Sequence, residues 1–356
     1  AGSAQKYSGA KAESIEWKSE GDVHTAVIEY SDDADYVLTV EYADFSTNEA
    51  EIKANDGKTA TKKYESKTVT VDKTAPVIWV EYDNENVIHT IEGRDYFDNV
   101  QSATVTVVEH NFRAADMIGT VIAENVIGEK IAVNDYAAQM SDENNWTKSG
   151  NTYTIKLEYP VDANYSFDYE YCDLAKNAVA DYEADMFTVD TTAPENLEVK
   201  YSTSVMEKVL ETITFGYYNA KMQVTISAED VVAGVHYFVY SYLKNEGVSE
   251  VNRELLNDVI EDANENITHD GKKATTSFTI PKDVLVYDYQ FNGIVEFTAF
   301  DRAENNNKKV DNTVIIVDNI NPVAQITYNE PVQQANGISY YAGNIDAKIV
   351  IQEANF

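Results

Sequence analysis

The chain has 356 residues, with 27 Lys and Arg against 61 Asp and Glu, for a formal net charge of −34. That balance argues against nucleic-acid binding, which needs clustered cations against phosphate, and against adhesion to an anionic bilayer. No apolar run reaches the roughly 20 residues of a membrane-spanning helix. A single cysteine, Cys172, allows no internal disulfide, and five histidines fall into no metal-ligand or nucleophile pattern. Tyrosine is abundant at 25 copies, and it favours strands and binding surfaces.

In chain order, Trp17 precedes by 19 residues an alternating segment of Tyr36, Leu38, Val40 and Tyr42, with polar Thr39 and Glu41 between. Alternation of period two predicts a half-buried antiparallel strand. It runs into Asp44-x-x-x-Asn48, a turn signal in which Asp and Asn side chains close local hydrogen bonds. A last strand then ends in Val71-Asp72-Lys73-Thr74-Ala75-Pro76, where proline stops the sheet. The next stretch carries Ala103, Val105 and Val107 at strand period, then Glu109-His110-Asn111-Phe112. Trp146, again 19 residues ahead, leads to the strand Tyr165, Phe167, Tyr169, Tyr171, the turn Asp173 to Asn177 and the linker Val189-Asp190-Thr191-Thr192-Ala193-Pro194. A third pass gives Val295, Phe297, Ala299, the turn Asp301 to Asn305, and Val317 to Pro322. The chain closes on Ala347, Ile349 and Ile351 before Glu353-Ala354-Asn355-Phe356.

The linker prolines Pro76, Pro194 and Pro322 are spaced by 118 and 128 residues, and the turn aspartates Asp44, Asp173 and Asp301 by 129 and 128. Two independent marks at nearly one period divide the chain into a back half-unit (1–76), whole units (77–194 and 195–322) and a front half-unit (323–356). In the third unit, residues 249–266 place Leu255, Leu256, Val259 and Ile260 at helical spacing behind Ser249 as N-cap, the one helix the sequence predicts. About seven short strands per unit, without alternating helices, predict an all-β chain of tandem β-sandwiches, one with a short helical insert.

Tyr36 and Tyr165, at the start of the penultimate strand, stand where the corner tyrosine of an immunoglobulin-type sandwich stands. The pattern Tyr…Asp-x-x-x-Asn…Val-Asp-x-Thr-Ala-Pro resembles the bacterial immunoglobulin-like tandem repeats of Gram-positive cell-surface proteins. Thr47, Lys176 and Glu304 replace the glycine usual before the Asn in that family, which leaves the turn type open. The resemblance implies immunoglobulin-like domains and an extracellular protein, secreted or on the bacterial cell surface. It also implies a non-enzymatic, adhesin-like binding module whose partner is a host or neighbouring-cell protein, immunoglobulin included. A purely structural stalk and a glycan-binding accessory module of a larger enzyme are the alternatives. The two half-units have complementary registers, so head-to-tail self-association is a further partner expectation, against half-units that are merely an artefact of the cut.

No phosphate loop or nucleophile–base motif is present, so no catalytic residue is assigned. Tyr237, Tyr240 and Tyr242, with Arg253 and Leu256 in the predicted insert, are the candidate partner-binding residues, since tyrosine-rich faces suit protein recognition. No cofactor is implied except calcium, for which Asp33, Asp162 and Asp190, in acidic turns and at a linker, are the candidate ligands. Glu109-x-Asn111-Phe112 reads first as a structural cap, with Asn closing a turn and Phe plugging the sandwich end.

Overall fold

The structure is a computed structural model describing residues 16–55, 57–60, 63–83, 85–203, 217–218, 221–245, 253–255, 267–280 and 290–353. Contacts divide the chain into two compact units, one of residues 1–192 with 302–304 and one of 193–301 with 305–356.

The first unit opens with short strands. β1 (Trp17–Glu20) pairs with β2 (Val23–Ala26), β3 (Ala34–Tyr36) with β8 (Val69–Val71), β4 (Thr39–Glu41) with β7 (Lys63–Glu65), and β5 (Ile52–Lys53) with β6 (Thr59–Ala60). Trp17 is 62% exposed here, whereas its counterpart Trp146 is 8% exposed.

The rest of the first unit is a two-layer sandwich. One sheet has the order β14 (Thr147–Ser149), β15 (Thr152–Tyr159), β12 (Gln101–Val108), β9 (Val77–Tyr82). The other has the order β10 (His89–Ile91), β11 (Arg94–Phe97), β17 (Asp185–Val189), β16 (Ala163–Glu170), β13 (Ile118–Glu124). All pairings are antiparallel except β11 with β17. Named by order along the chain, these are the A-B-E-D and C-F-G sheets of an immunoglobulin-type sandwich, with a parallel strand added beside the last one. The pleat explains the core: Tyr165, Phe167 and Tyr169 on β16 and Ile155, Leu157 and Tyr159 on β15 point inward, and each is at most 5% exposed.

The second unit repeats the order. One sheet runs β18 (Glu195–Thr203), β20 (Met222–Glu229), β24 (Lys273–Ile280), β23 (Thr268–Asp270). The other runs β19 (Tyr217–Tyr218), β26 (Asn306–Asp318), β25 (Gln290–Asp301), β21 (Val235–Asn245), β22 (Arg253–Leu255), with β19 and β26 parallel. At its C-terminal end, β27 (Val323–Tyr328) pairs with β30 (Ala347–Gln352), and β28 (Gln333–Ala335) with β29 (Ile338–Tyr340). Both faces of the β27–β30 pair are exposed.

Two local expectations change. Arg253–Leu255 is strand, not helix, because it pairs with Leu243–Asn245 at the end of β21; ladder hydrogen bonds there outweigh the helical spacing of the leucines. The remainder of 249–266 lies outside the described residues. Among the described residues the α-helix is α1, Tyr136–Ser141 in the first sandwich, with Asp135 as N-cap accepting from Ala138 N at 3.0 Å. It packs on β13 at Gly119, where a Cβ would collide with Met140 Sδ.

Candidate functional site

The corner tyrosines behave as their position predicts. Tyr36 Oη donates to the Asp32 carbonyl at 2.8 Å and Tyr165 Oη to the Val161 carbonyl at 2.7 Å, each four residues upstream. The Asp-x-x-x-Asn turns share one construction. Asn48, Asn177 and Asn305 each donate backbone N and side-chain Nδ2 to the two oxygens of Asp44, Asp173 and Asp301, at 2.7–3.0 Å. The residue before each Asn is left-handed: φ is 67° at Thr47, 72° at Lys176 and 66° at Glu304.

The candidate binding tyrosines separate. Tyr240 is 4% exposed and stacks on Phe278 inside the second sandwich, so it is a core residue and leaves the candidate surface. Both faces of β21 carry aromatics, so alternation could not say which one is buried. Tyr237 is half-buried and stacks on Phe300, its cross-strand partner, with ring centroids 4.6 Å apart. The side chains of Tyr242 and Arg253, and the whole of Leu256, lie outside the described residues.

Two of the calcium candidates, Asp33 and Asp162, accept hydrogen bonds from the linkers. Asp33 accepts from Lys73 N at 3.1 Å and from Thr74 Oγ1. Asp162 accepts from Thr191 Oγ1 at 3.0 Å and Thr192 Oγ1 at 2.7 Å. Asp190 is fully buried and accepts from Thr192 N at 3.0 Å, just as Asp72 one repeat earlier accepts from Thr74 N at 3.2 Å.

Within the first unit, the three repeat marks meet at one place. The linker supplies Asp72, the residue after β12 is Glu109, and the turn after β16 supplies Asp173. A carboxylate oxygen from each lies within 4.8 Å of the other two. Their exposures are 8%, 0% and 0%. Asn111 ties two of them together, its N donating to Glu109 Oε1 at 2.6 Å and its Nδ2 to Asp72 Oδ2 at 2.9 Å. Asn177 Nδ2 adds a bond to the Asp72 carbonyl at 3.1 Å. Phe112, next along, is packed between Trp146, Tyr153 and Tyr171, plugging the sandwich end.

Electrostatically the cluster is unfavourable as it stands. Like charges 4 Å apart repel by about 4 kcal/mol at an effective dielectric of about 20. Burial pushes the Glu109 carboxyl above its ordinary value, and the negative charges of Asp72 and Asp173 push it further, against the Asn111 amide. Exposed Asp44 shows the opposite case: Asn48 holds its carboxyl below the ordinary value. The convergence was hidden because Asp72, Glu109 and Asp173 are far apart in sequence; only the acidic character of each repeat mark pointed to it.

No protein-family model matches the chain, and no curated protein matches it. Among solved structures, dimeric latent PorU from Porphyromonas gingivalis is similar over 82% of this chain at 13% identity, with a TM-score of 0.25. The chain spans 28% of that PorU chain. A single-residue variant of BcpA, the major pilin subunit of Bacillus cereus, is similar over 65% of this chain and 80% of its own, at 7% identity and a TM-score of 0.19. At TM-scores this low, neither likeness carries fold or function.

Proposed function

We propose that the chain is a segment of a non-enzymatic bacterial cell-surface protein in which immunoglobulin-like sandwiches in series space and present a binding surface. The observation that supports this reading is the repeat itself. Two sandwiches share one strand order, and the residues that recur along the chain serve corner, turn and linker rather than a nucleophile and its base. A Ser–His contact, Ser19 Oγ to His24 Nδ1 at 2.7 Å, lies on an exposed two-stranded hairpin. Among the described residues no helix is long and apolar enough to cross a membrane. Antibodies against the chain should label intact cells of the source bacterium, and brief external protease should remove the label. Antigen found only after lysis would contradict the reading.

A second reading, capture of a host protein such as an immunoglobulin, draws support from the aromatic pair Tyr237–Phe300 on a sheet extended by β22. On this reading purified immunoglobulin binds the full chain and Tyr237→Ala weakens binding at least about tenfold, the loss of one ordinary aromatic contact. Absent binding, or equal binding by the variant, removes it.

A further inference from the structure

Glu109 is the most informative side chain of the carboxylate cluster. It is fully buried; Oε1 accepts the Asn111 amide, while Oε2 is buried and accepts no hydrogen bond. A buried carboxylate oxygen without a donor is a costly arrangement that native structures resolve with water or an ion. The donors to Glu109 and Asp173 are neutral amides, Asn111 N and Asn177 N and Nδ2, which orient carboxylates without neutralising them.

From this geometry we infer that Asp72, Glu109 and Asp173 form a binding site for a hard divalent cation, calcium, which ties the Val71–Pro76 linker to the end of the first sandwich. The carboxyl donors are all oxygen, which selects hard cations over zinc or copper. Calcium accepts six to eight oxygens in irregular geometry, and carboxylates, carbonyls and water can share the shell; magnesium demands a near-ideal octahedron. The acids are held before an ion arrives, Asp173 by its Asn177 turn and Asp72 by Thr74 N and Asn111 Nδ2. Two positive charges offset most of three negative ones and supply the partner that Glu109 Oε2 lacks. The acids also follow the repeat rather than the general acidity of the surface. In the next repeat the residues at the same strand ends are Asp190 after β17, Asp230 after β20 and Asp301 at the end of β25.

The test uses the full chain. Its three tryptophans, Trp17, Trp79 and Trp146, all lie in residues 1–192, so tryptophan emission reports on the unit that holds the site. After stripping with EGTA, calcium at about 100 times its Kd should raise the emission-detected Tm by about 5–10 °C. It should also slow tryptic cleavage after Lys73, in the linker. Glu109→Gln should abolish both effects while melting no lower than the parent in EGTA, because it removes a like charge and keeps the shape. Asp173→Asn, which retains the turn's acceptor oxygen, should also abolish the calcium response. A parent chain indifferent to calcium in both readouts, or a Glu109→Gln chain that responds like the parent, would overturn the inference. An equal shift with magnesium would overturn the assignment to calcium.

Discussion

Lys176 is exposed and held at φ 72°, in a region where a Cβ costs an L-residue about 1–2 kcal/mol and glycine nothing. Thr47 and Glu304 share the strain, so the turn keeps its left-handed step whether or not glycine is present. The Asp–Asn bonds fix that step: Asp173 N donates to Asn177 O at 3.1 Å and Lys176 N to Asp173 O at 3.1 Å. Lys176→Gly keeps both bonds and should stabilise the first unit by about 1 kcal/mol in urea denaturation; destabilisation would show that the lysine side chain contributes something the backbone does not. The turn and the corner tyrosine were legible in the sequence because each is a local arrangement spanning five residues. Tyr240 was not: with Phe238 and Tyr240 on one face of β21 and Tyr237 on the other, the core face is settled by what the opposite sheet brings to it.

At the scale of elements, the strands could be read because one face of each is buried, and burial at period two writes itself into the sequence, as on β16. The helix α1 could not. It has six residues, too few for a 3.6-residue period to show, and it exists because Gly119 leaves room for Met140 and because Trp146 Nε1 donates to the Met140 carbonyl at 2.8 Å. Its far end is held by Tyr136 Oη, which donates to the Glu158 carbonyl at 2.8 Å. The same logic in reverse turned the predicted insert into β22 where it is described: a partner strand, not the local sequence, decided Arg253–Leu255. Trp146 therefore links helix, sandwich core and the Phe112 plug. Trp146→Ala should cost the first unit about 3–5 kcal/mol by denaturation followed with circular dichroism. Unchanged stability would mean that Phe112 and Met140 do not depend on it.

Across the whole molecule, the recurring marks divide into those that build a sandwich and those that finish one end of it. The corner tyrosine builds; the linker Asp, the Glu-x-Asn-Phe segment and the Asp-x-x-x-Asn turn finish. Each had a sufficient local explanation as cap, plug or turn, which is why their joint role could not be read from the sequence. Folding brings Asp72 to Glu109 and Asp173 across two strand ends and a linker, and only there do three acids become one cluster. The inferred calcium site makes these marks one cation-binding joint. Hydrogen–deuterium exchange on the full chain, in calcium and in EGTA, tests it most directly. The amides of Thr74, Asn111 and Asn177, which donate to the three carboxylates, should slow together in calcium while those of Tyr165 to Tyr169 on β16 stay unchanged; exchange indifferent to calcium, or protection confined to one of the three segments, would rule the joint out.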